Sequence, residues 1–322
     1  MSATFPPEPP ATPRPATAEW AARGERSNRV ALRFIAWVAL TLGRGAARML
    51  LYPIALYYLC FAPAARRHSA RYLARVLGRP PTWIERYRHF HHFAATALDR
   101  IYFVRGQLQA FDLHVEGEAL IDSALAEGRG AMLLGGHLGS FEALHAVGAS
   151  RPGLHVAMGM YAENARMIHE VLQAVAPDFN LGIIAIGRPG STLAMREWLD
   201  RGGLVGLLGD RYLVNEATRL AGSQEVPFLG QPVRFTDGPL RLAMLLRRRV
   251  VFMVGLYHGG RRYEVRFEPL ADFTRPVTDP AERERVLQAT LRDYVARLEA
   301  LVRESPFNWF NFSDYGGDDE AR

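Results

Sequence analysis

The apolar run Ala131-Met132-Leu133-Leu134 stops on two glycines, Gly135 and Gly136, and passes at once to His137, Leu138, Gly139 and Ser140. An apolar run that ends in glycine reads as a buried strand breaking into a turn. Ser140 to Val147 then read as the start of a helix. A strand, a tight turn and a helix in succession commit this stretch to an α/β layer arrangement, since helices laid on a sheet bury such a unit. The same turn presents a histidine at the strand end, where open α/β sheets hold their ligands. A carboxylate, Glu142, follows five residues later in the first helical turn.

The rest of the chain keeps that rhythm. Strands are expected at 131–135, 154–160, 182–186, 204–208, 250–257 and 262–268. Helices are expected at 118–127, 140–149, 163–175, 191–201, 237–247 and 280–303. Alternation of this kind predicts a mostly parallel central sheet covered by helices. A chain of 322 residues with 49% hydrophobic content can build one such large domain plus an appendage.

Charge divides the chain. All 39 basic residues are arginine, which removes every mechanism that needs a lysine Schiff base or a P-loop lysine. Residues 1–105 hold 16 arginines against five acids, whereas residues 106–322 hold 23 against 28. The basic third is also rich in large apolar and aromatic residues. That pairing suits an anionic membrane surface better than a nucleic-acid groove, and no nucleic-acid recognition motif accompanies it. The single cysteine, Cys60, excludes a disulfide framework and a cysteine-based zinc site, and fits a reducing compartment.

Four segments follow. Residues 1–28 form a Pro/Ala-rich tail expected to be disordered, without the basic-then-apolar order of a signal peptide. Residues 29–110 form a basic, apolar, helical region expected to dock on a membrane. Between Arg48 and Arg66 lie 17 uncharged residues, at the lower limit for a bilayer span. Pro53 and the tyrosines favour a helix or hairpin dipping into the membrane face, with Arg66, Arg67, Arg71 and Arg75 at the headgroups. The competing reading is that these helices only pack on the catalytic domain. His89, His91 and His92 are not at metal-ligand spacing with any acid and read as packed or solvated. Residues 111–315 form the α/β domain and 316–322 an acidic tail.

Several chemistries are excluded by motif. No G-x-S-x-G elbow, no G-x-G-x-x-G after a first strand and no Walker A sequence occur. His169-Glu170 begins like a zincin motif, but Gln173 stands where the second histidine belongs. What remains is a histidine near a carboxylate, with Ser140 as the one nucleophilic side chain beside it. Such a pair suits direct general-base catalysis on a substrate hydroxyl. Of the ten histidines only His137 has an acid at the fifth following position, and about one such pair is expected by chance. The spacing therefore decides nothing alone.

Five blocks, in order, give it context. Gly-Gly-His137-Leu-Gly-Ser-Phe-Glu142 resembles the H-x4-D/E block of the lysophospholipid acyltransferase-like superfamily, and most of all its lipid A late acyltransferases. Tyr161-Ala-Glu-Asn164-Ala-Arg166 resembles that family's second block. Gly206-Leu-Leu-Gly-Asp210-Arg211 resembles its strand ending in an aspartate. Val226-Pro-Phe-Leu-Gly-Gln-Pro232 resembles its V-P-F-F-G-x-P segment, and Asn308-Trp309-Phe310 its Trp-rich ending. The likeness covers residues 30–315. Ser140 and Phe141 replace the commoner Asn-Trp, and Arg211 replaces Gln. These departures bear on the acceptor more than on the chemistry, and the ending also resembles acyltransferases of aryl-polyene and other glycolipid pathways.

The resemblance implies an acyltransferase on the cytoplasmic face of a bacterial inner membrane. It would take a fatty acyl group from acyl carrier protein or acyl-CoA to a hydroxyl of a lipid or glycolipid, with neither metal nor cofactor. His137 would be the general base and Glu142 its orienting carboxylate. Backbone N–H groups near Gly139 and Ser140 would stabilise the oxyanion. Asn164, Arg166, Arg188 and Arg211 would contact substrate, the arginines through phosphate. Asp210 would orient the acceptor or a basic partner. Met158, Met160 and Phe228 would either line an acyl channel or pack in the core. A hydrolase using the same pair on water and a non-catalytic membrane scaffold are the rival readings.

Overall fold

The computed structural model describes residues 29–143, 148, 154–161, 182–210 and 222–312. Four described helices come first, α1 (Arg29–Thr41), α2 (Gly43–Phe61), α3 (Pro63–Leu77) and α4 (Trp83–Val104). They lead into β1 (Asp112–Glu116), α5 (Glu118–Ala126), β2 (Ala131–Gly135), β3 (Val156–Tyr161), β4 (Gly182–Ile186), α6 (Ser191–Asp200) and β5 (Leu204–Leu208). The described chain continues with β6 (Ser223–Phe228), β7 (Gln231–Thr236), α7 (Gly238–Leu246), β8 (Arg249–Tyr257), β9 (Arg262–Asp272) and α8 (Pro280–Glu304).

Seven strands form one sheet in the order β1-β9-β8-β2-β5-β3-β4. Every neighbouring pair is parallel except β8 with β9. The fold is thus the expected α/β sheet flanked by helices. All five residues of β2 are buried, as are eight of the nine in β8. Uninterrupted apolar strands are what a sheet covered on both faces requires. β2 lies between β8 and β5, and the chain leaves it to form strands on one side before returning to β8 on the other. The turn after β2 therefore sits at a switch point of the strand order, on the carboxyl edge of the sheet.

Two elements differ from the sequence expectation. β1 is a short edge strand whose residues alternate between exposed and half-buried, too polar to stand out. The β6–β7 hairpin stands outside the main sheet and pairs Pro227 with Pro232, residues that normally argue against a strand. A two-stranded hairpin has outer edges on which proline costs no ladder bond. The helix expected at 163–175, and residues 144–147 and 149 of that expected at 140–149, lie outside the described residues.

The amino-terminal helices are two-faced. The inner stripe of α2, Ala47, Leu51, Ala55 and Leu59, recurs every fourth residue and is buried. Val38, Ala47, Leu51, Leu98 and Phe103 share a core with Leu133, Val251 and Tyr263 of the sheet. Arg44 ties the layer down, donating through Nε and Nη2 to Asp99 at 2.8 Å each, while the Tyr263 hydroxyl donates to the same carboxylate at 2.8 Å. Trp37, Met49, Tyr52, Leu56 and Phe61 point the other way and are exposed, joined by Trp83 and Ile84 at the start of α4. No single described helix is long and apolar enough to cross a membrane, whereas α2 and α3 pass that test together but are bent by 94°.

Candidate active site

Parallel register sets the site. Gly135 of β2 is aligned with Leu208 of β5, and the Gly209 N–H extends the ladder by donating to Gly135 O at 2.9 Å. Two residues beyond each aligned position stand His137 and Asp210, so the two side chains emerge together. His137 Nδ1 lies 2.8 Å from Asp210 Oδ1, and the His137 backbone N–H donates to Oδ2 at 2.9 Å. The Trp309 indole N–H donates to the same Oδ2 at 2.9 Å. Asp210 is fully buried in its side chain, whereas that of His137 is 34% exposed. A carboxylate so removed from water needs these donors. Its demand for an N–H places the imidazole proton on Nδ1 and leaves Nε2 as the basic nitrogen.

The turn that carries His137 is held rigidly. Gly136 allows Asp210 to close in, since a Cβ there would stand 3.2 Å from the Asp210 Cβ and Cγ. Gly139 has φ +74°, and a Cβ on it would stand 1.9 Å from Gly255 O. The carboxyl-terminal strap locks the turn from outside: Phe310 N donates to His137 O at 2.9 Å and Gly139 N to Asn308 O at 2.8 Å. Asn308 is itself clamped on Tyr257, accepting from its N–H at 2.8 Å and donating to its carbonyl at 3.0 Å. From below, the Tyr294 hydroxyl donates to Gly135 O at 2.8 Å. Burial, reinforced by the nearby Asp210 charge, pushes the Tyr294 phenol well above its usual range and keeps it a donor.

This geometry occurs in a chain whose residues 29–313 match the model of a family described as bacterial lipid A biosynthesis acyltransferase. The chain belongs to that family. It is, accordingly, a lipid acyltransferase. A search of the curated proteins finds no match.

In this family member the expected pairing of His137 with Glu142 is corrected. The imidazole's carboxylate is Asp210, from the next strand. The backbone reverses at Gly139, and Ser140 caps the following turn by accepting from Ala143 N at 3.2 Å. Glu142 then meets α4 instead, with Arg100 Nε 2.7 Å from its Oε1, and it accepts from Ser140 Oγ at 3.3 Å. The expected oxyanion role of the Gly139 and Ser140 amides is corrected as well. Gly139 N is used by Asn308 O, and Ser140 N donates to Gly255 O at 2.7 Å.

The other expected residues fall in three places. Arg188 is exposed in the turn after β4, three strands from β2 and so about 14 Å across the sheet. Asn164, Arg166 and Arg211 lie outside the described residues. Phe228 is fully buried, with its ring 5.1 Å from that of Trp309, and belongs to the core. Met158 and Met160 are half-buried on β3. The sequence reading missed the hydrogen bond of Trp309 and the roles of Ser69 and His89 beneath it. A Trp in the last aromatic block was the available signal for the first. A buried His–Ser pair drawn from two different helices leaves no pattern in sequence.

Proposed function

We propose that the chain transfers a fatty acyl group from a thioester donor, acyl carrier protein or acyl-CoA, to a hydroxyl of a membrane lipid or glycolipid, with His137 as general base. The observation that supports this most is the buried Asp210 carboxylate bonded to Nδ1 of a partly exposed histidine at the sheet's switch point. His137 Nε2 takes the proton of the acceptor hydroxyl as its oxygen attacks the thioester carbonyl. Asp210 stabilises the imidazolium that forms. The tetrahedral intermediate then expels the thiolate, which recovers the proton from Nε2, and an ester and a free thiol result. Positioned proton transfer of this kind contributes about 10²–10⁴ in rate.

Donor and acceptor enter from opposite chemistries. Asn164, Arg166 and Arg211 supply hydrogen-bond donors for the phosphate of a phosphopantetheine arm or of the acceptor, and Arg211 follows Asp210 directly in sequence. The acceptor comes from a membrane on which α1, α2 and the start of α4 rest through Trp37, Met49, Tyr52, Leu56, Phe61, Trp83 and Ile84. Arg66, Arg67, Arg71 and Arg75 of α3 meet anionic headgroups, and the site faces the cytoplasmic leaflet of a bacterial inner membrane.

The test supplies labelled dodecanoyl acyl carrier protein and dodecanoyl-CoA separately to membranes holding wild type or His137→Ala, and reads lipids by mass spectrometry. A new acylated lipid made only by wild type names donor and acceptor together. Equal products from two folded, membrane-bound proteins would sink the general-base reading and favour a scaffold.

A further inference from the structure

Behind the His137–Asp210 pair runs a buried chain of hydrogen bonds that leads out of the sheet into the amino-terminal helices. His89 Nε2 on α4 is 2.9 Å from Trp309 O, and its Nδ1 is 2.8 Å from Ser69 Oγ on α3. A carbonyl only accepts, so Nε2 carries the proton and Nδ1 accepts from the serine hydroxyl. Ser69 and His89 are fully buried and Trp309 is 1% exposed. Tyr72 of α3 adds two contacts, its hydroxyl donating to Pro306 O at 2.7 Å and its ring lying edge-on to the Trp309 indole at 5.1 Å. Phe228 closes on the indole from another side at 5.1 Å.

Stability does not account for this arrangement. An imidazole and a hydroxyl taken out of water gain little over an apolar pair of the same shape, even when each is fully bonded. What the network specifies is direction. With its carbonyl bonded to His89 and its ring packed against Tyr72 and Phe228, Trp309 points its N–H at Asp210 Oδ2. That donor, together with the His137 backbone N–H, occupies one carboxylate oxygen and leaves Oδ1 for His137 Nδ1.

We propose that Trp309 is a positioning residue for Asp210, and that His89 and Ser69 hold Trp309 in that pose, so that helices α3 and α4 set the orientation of the His137 imidazole. The inference rests on the general-base reading of His137, but it concerns the geometry of the imidazole rather than the substrate. Among the described residues Asp210 bonds this imidazole directly; Trp309 reaches it through Asp210 Oδ2, the Tyr294 hydroxyl bonds Gly135 O two residues before it, and the Glu142–Arg100 pair lies beyond the turn.

The experiment uses the full chain in detergent micelles, labelled with ¹⁵N-histidine, the His137 signals being assigned by their loss in His137→Ala. Wild type shows one tautomer at neutral pH, with Nδ1 protonated and Nε2 bare. Trp309→Phe and His89→Leu lose that single-tautomer signature. With dodecanoyl-CoA and membranes as acceptor source, their kcat falls about tenfold to a hundredfold while KM stays within about twofold, as for loss of an outer group that orients a reacting one. His89→Gln, which still offers an N–H near the position of Nε2, recovers most of the signature and the rate. A wild-type signature in Trp309→Phe, or His89→Gln no better than His89→Leu, overturns the proposal. Altered tautomers in a background where His137→Ala still transfers acyl groups would instead overturn the general-base reading and leave the positioning role standing.

Discussion

The strand-end site and the outer face of the amino-terminal helices solve opposite problems with the same chain. At the site the Asp210 carboxylate gathers His137 Nδ1, the His137 backbone N–H and the Trp309 indole N–H, and backbone bonds from the carboxyl-terminal strap fix the turn. On the outer face, Met49 and Phe61 are 67% and 72% exposed. The base role proposed for His137 requires one orientation of the imidazole, and the Asp210 carboxylate that holds it is buried and bonded by three donors. The lipid contact proposed for the outer face needs only apolar area and flanking cations, and its side chains stand exposed on a helix whose other stripe is buried. The lesson is that a site is built from directional bonds to buried groups, whereas a surface is built from area.

The largest effect should come from breaking the inward-turned region. Asp210→Asn keeps the volume but offers an amide where His137 Nδ1–H needs an acceptor with full negative charge. Loss of kcat by about 10³, within the 10²–10⁴ span of positioned proton transfer, is expected with little change in KM. Single-turnover transfer from dodecanoyl-CoA measures it. A loss below tenfold would show that the carboxylate is structural only.

Next is the acid stability of that region. Burial lowers the His89 pKa to about 4, against the partial support of the Trp309 carbonyl. A histidine whose folded pKa lies below its unfolded value near 6.5 leaves the unfolded chain holding more protons between those limits. Its contribution is therefore full above pH 6.5 and is lost as pH falls toward 4, by about 3 kcal/mol over the window. Denaturant unfolding of wild type should show that slope, and His89→Gln should flatten it. His92, lowered to about 3 by burial and then by Arg88, adds a slope of the same sign that the variant retains.

How much of this could be read from residues alone follows from the range of each interaction. The strand at 204–208 and the helix at 191–201 were readable because periodicity and glycine punctuation are local. His137 was readable because a strand end is local too. Its true partner was not, because Asp210 is 73 residues away and the link is a sheet register. The near carboxylate, Glu142, was the natural choice by spacing. The left-handed Gly139, which turns the backbone away, has no signature that separates it from the chain's other glycines. The exposed apolar face was readable from composition, although its division into a buried and a bare stripe needed the packing.

The outer face yields a smaller effect. Met49→Ser, Leu56→Ser and Phe61→Ser together should lower partitioning onto anionic phospholipid vesicles by about a hundredfold, since each removes apolar area worth about 1 kcal/mol at the interface. Transfer to a detergent-dispersed acceptor should be unchanged, which co-sedimentation and a micellar assay check together. Unchanged partitioning would mean that this face is covered by something other than lipid.

The smallest effect is expected where the two regions meet. Glu142, in the turn that follows β2, joins Arg100 of the helical layer across 2.7 Å, and the Arg100 side chain is 41% exposed. A pair so open to water contributes about 0–1 kcal/mol. Its carboxylate also lies in the first turn after Ser140, where a negative charge is favoured by the helix N-terminus. Glu142→Gln keeps the volume and much of the hydrogen bonding, so kcat/KM should fall by less than about tenfold, against about 10³ for Asp210→Asn. Comparing the two variants in one assay ranks the carboxylates directly. If Glu142→Gln proved as damaging as His137→Ala while Asp210→Asn stayed active, Glu142 would have to leave Arg100 and reach the imidazole during turnover. The helical layer would then be part of the catalytic cycle rather than its support.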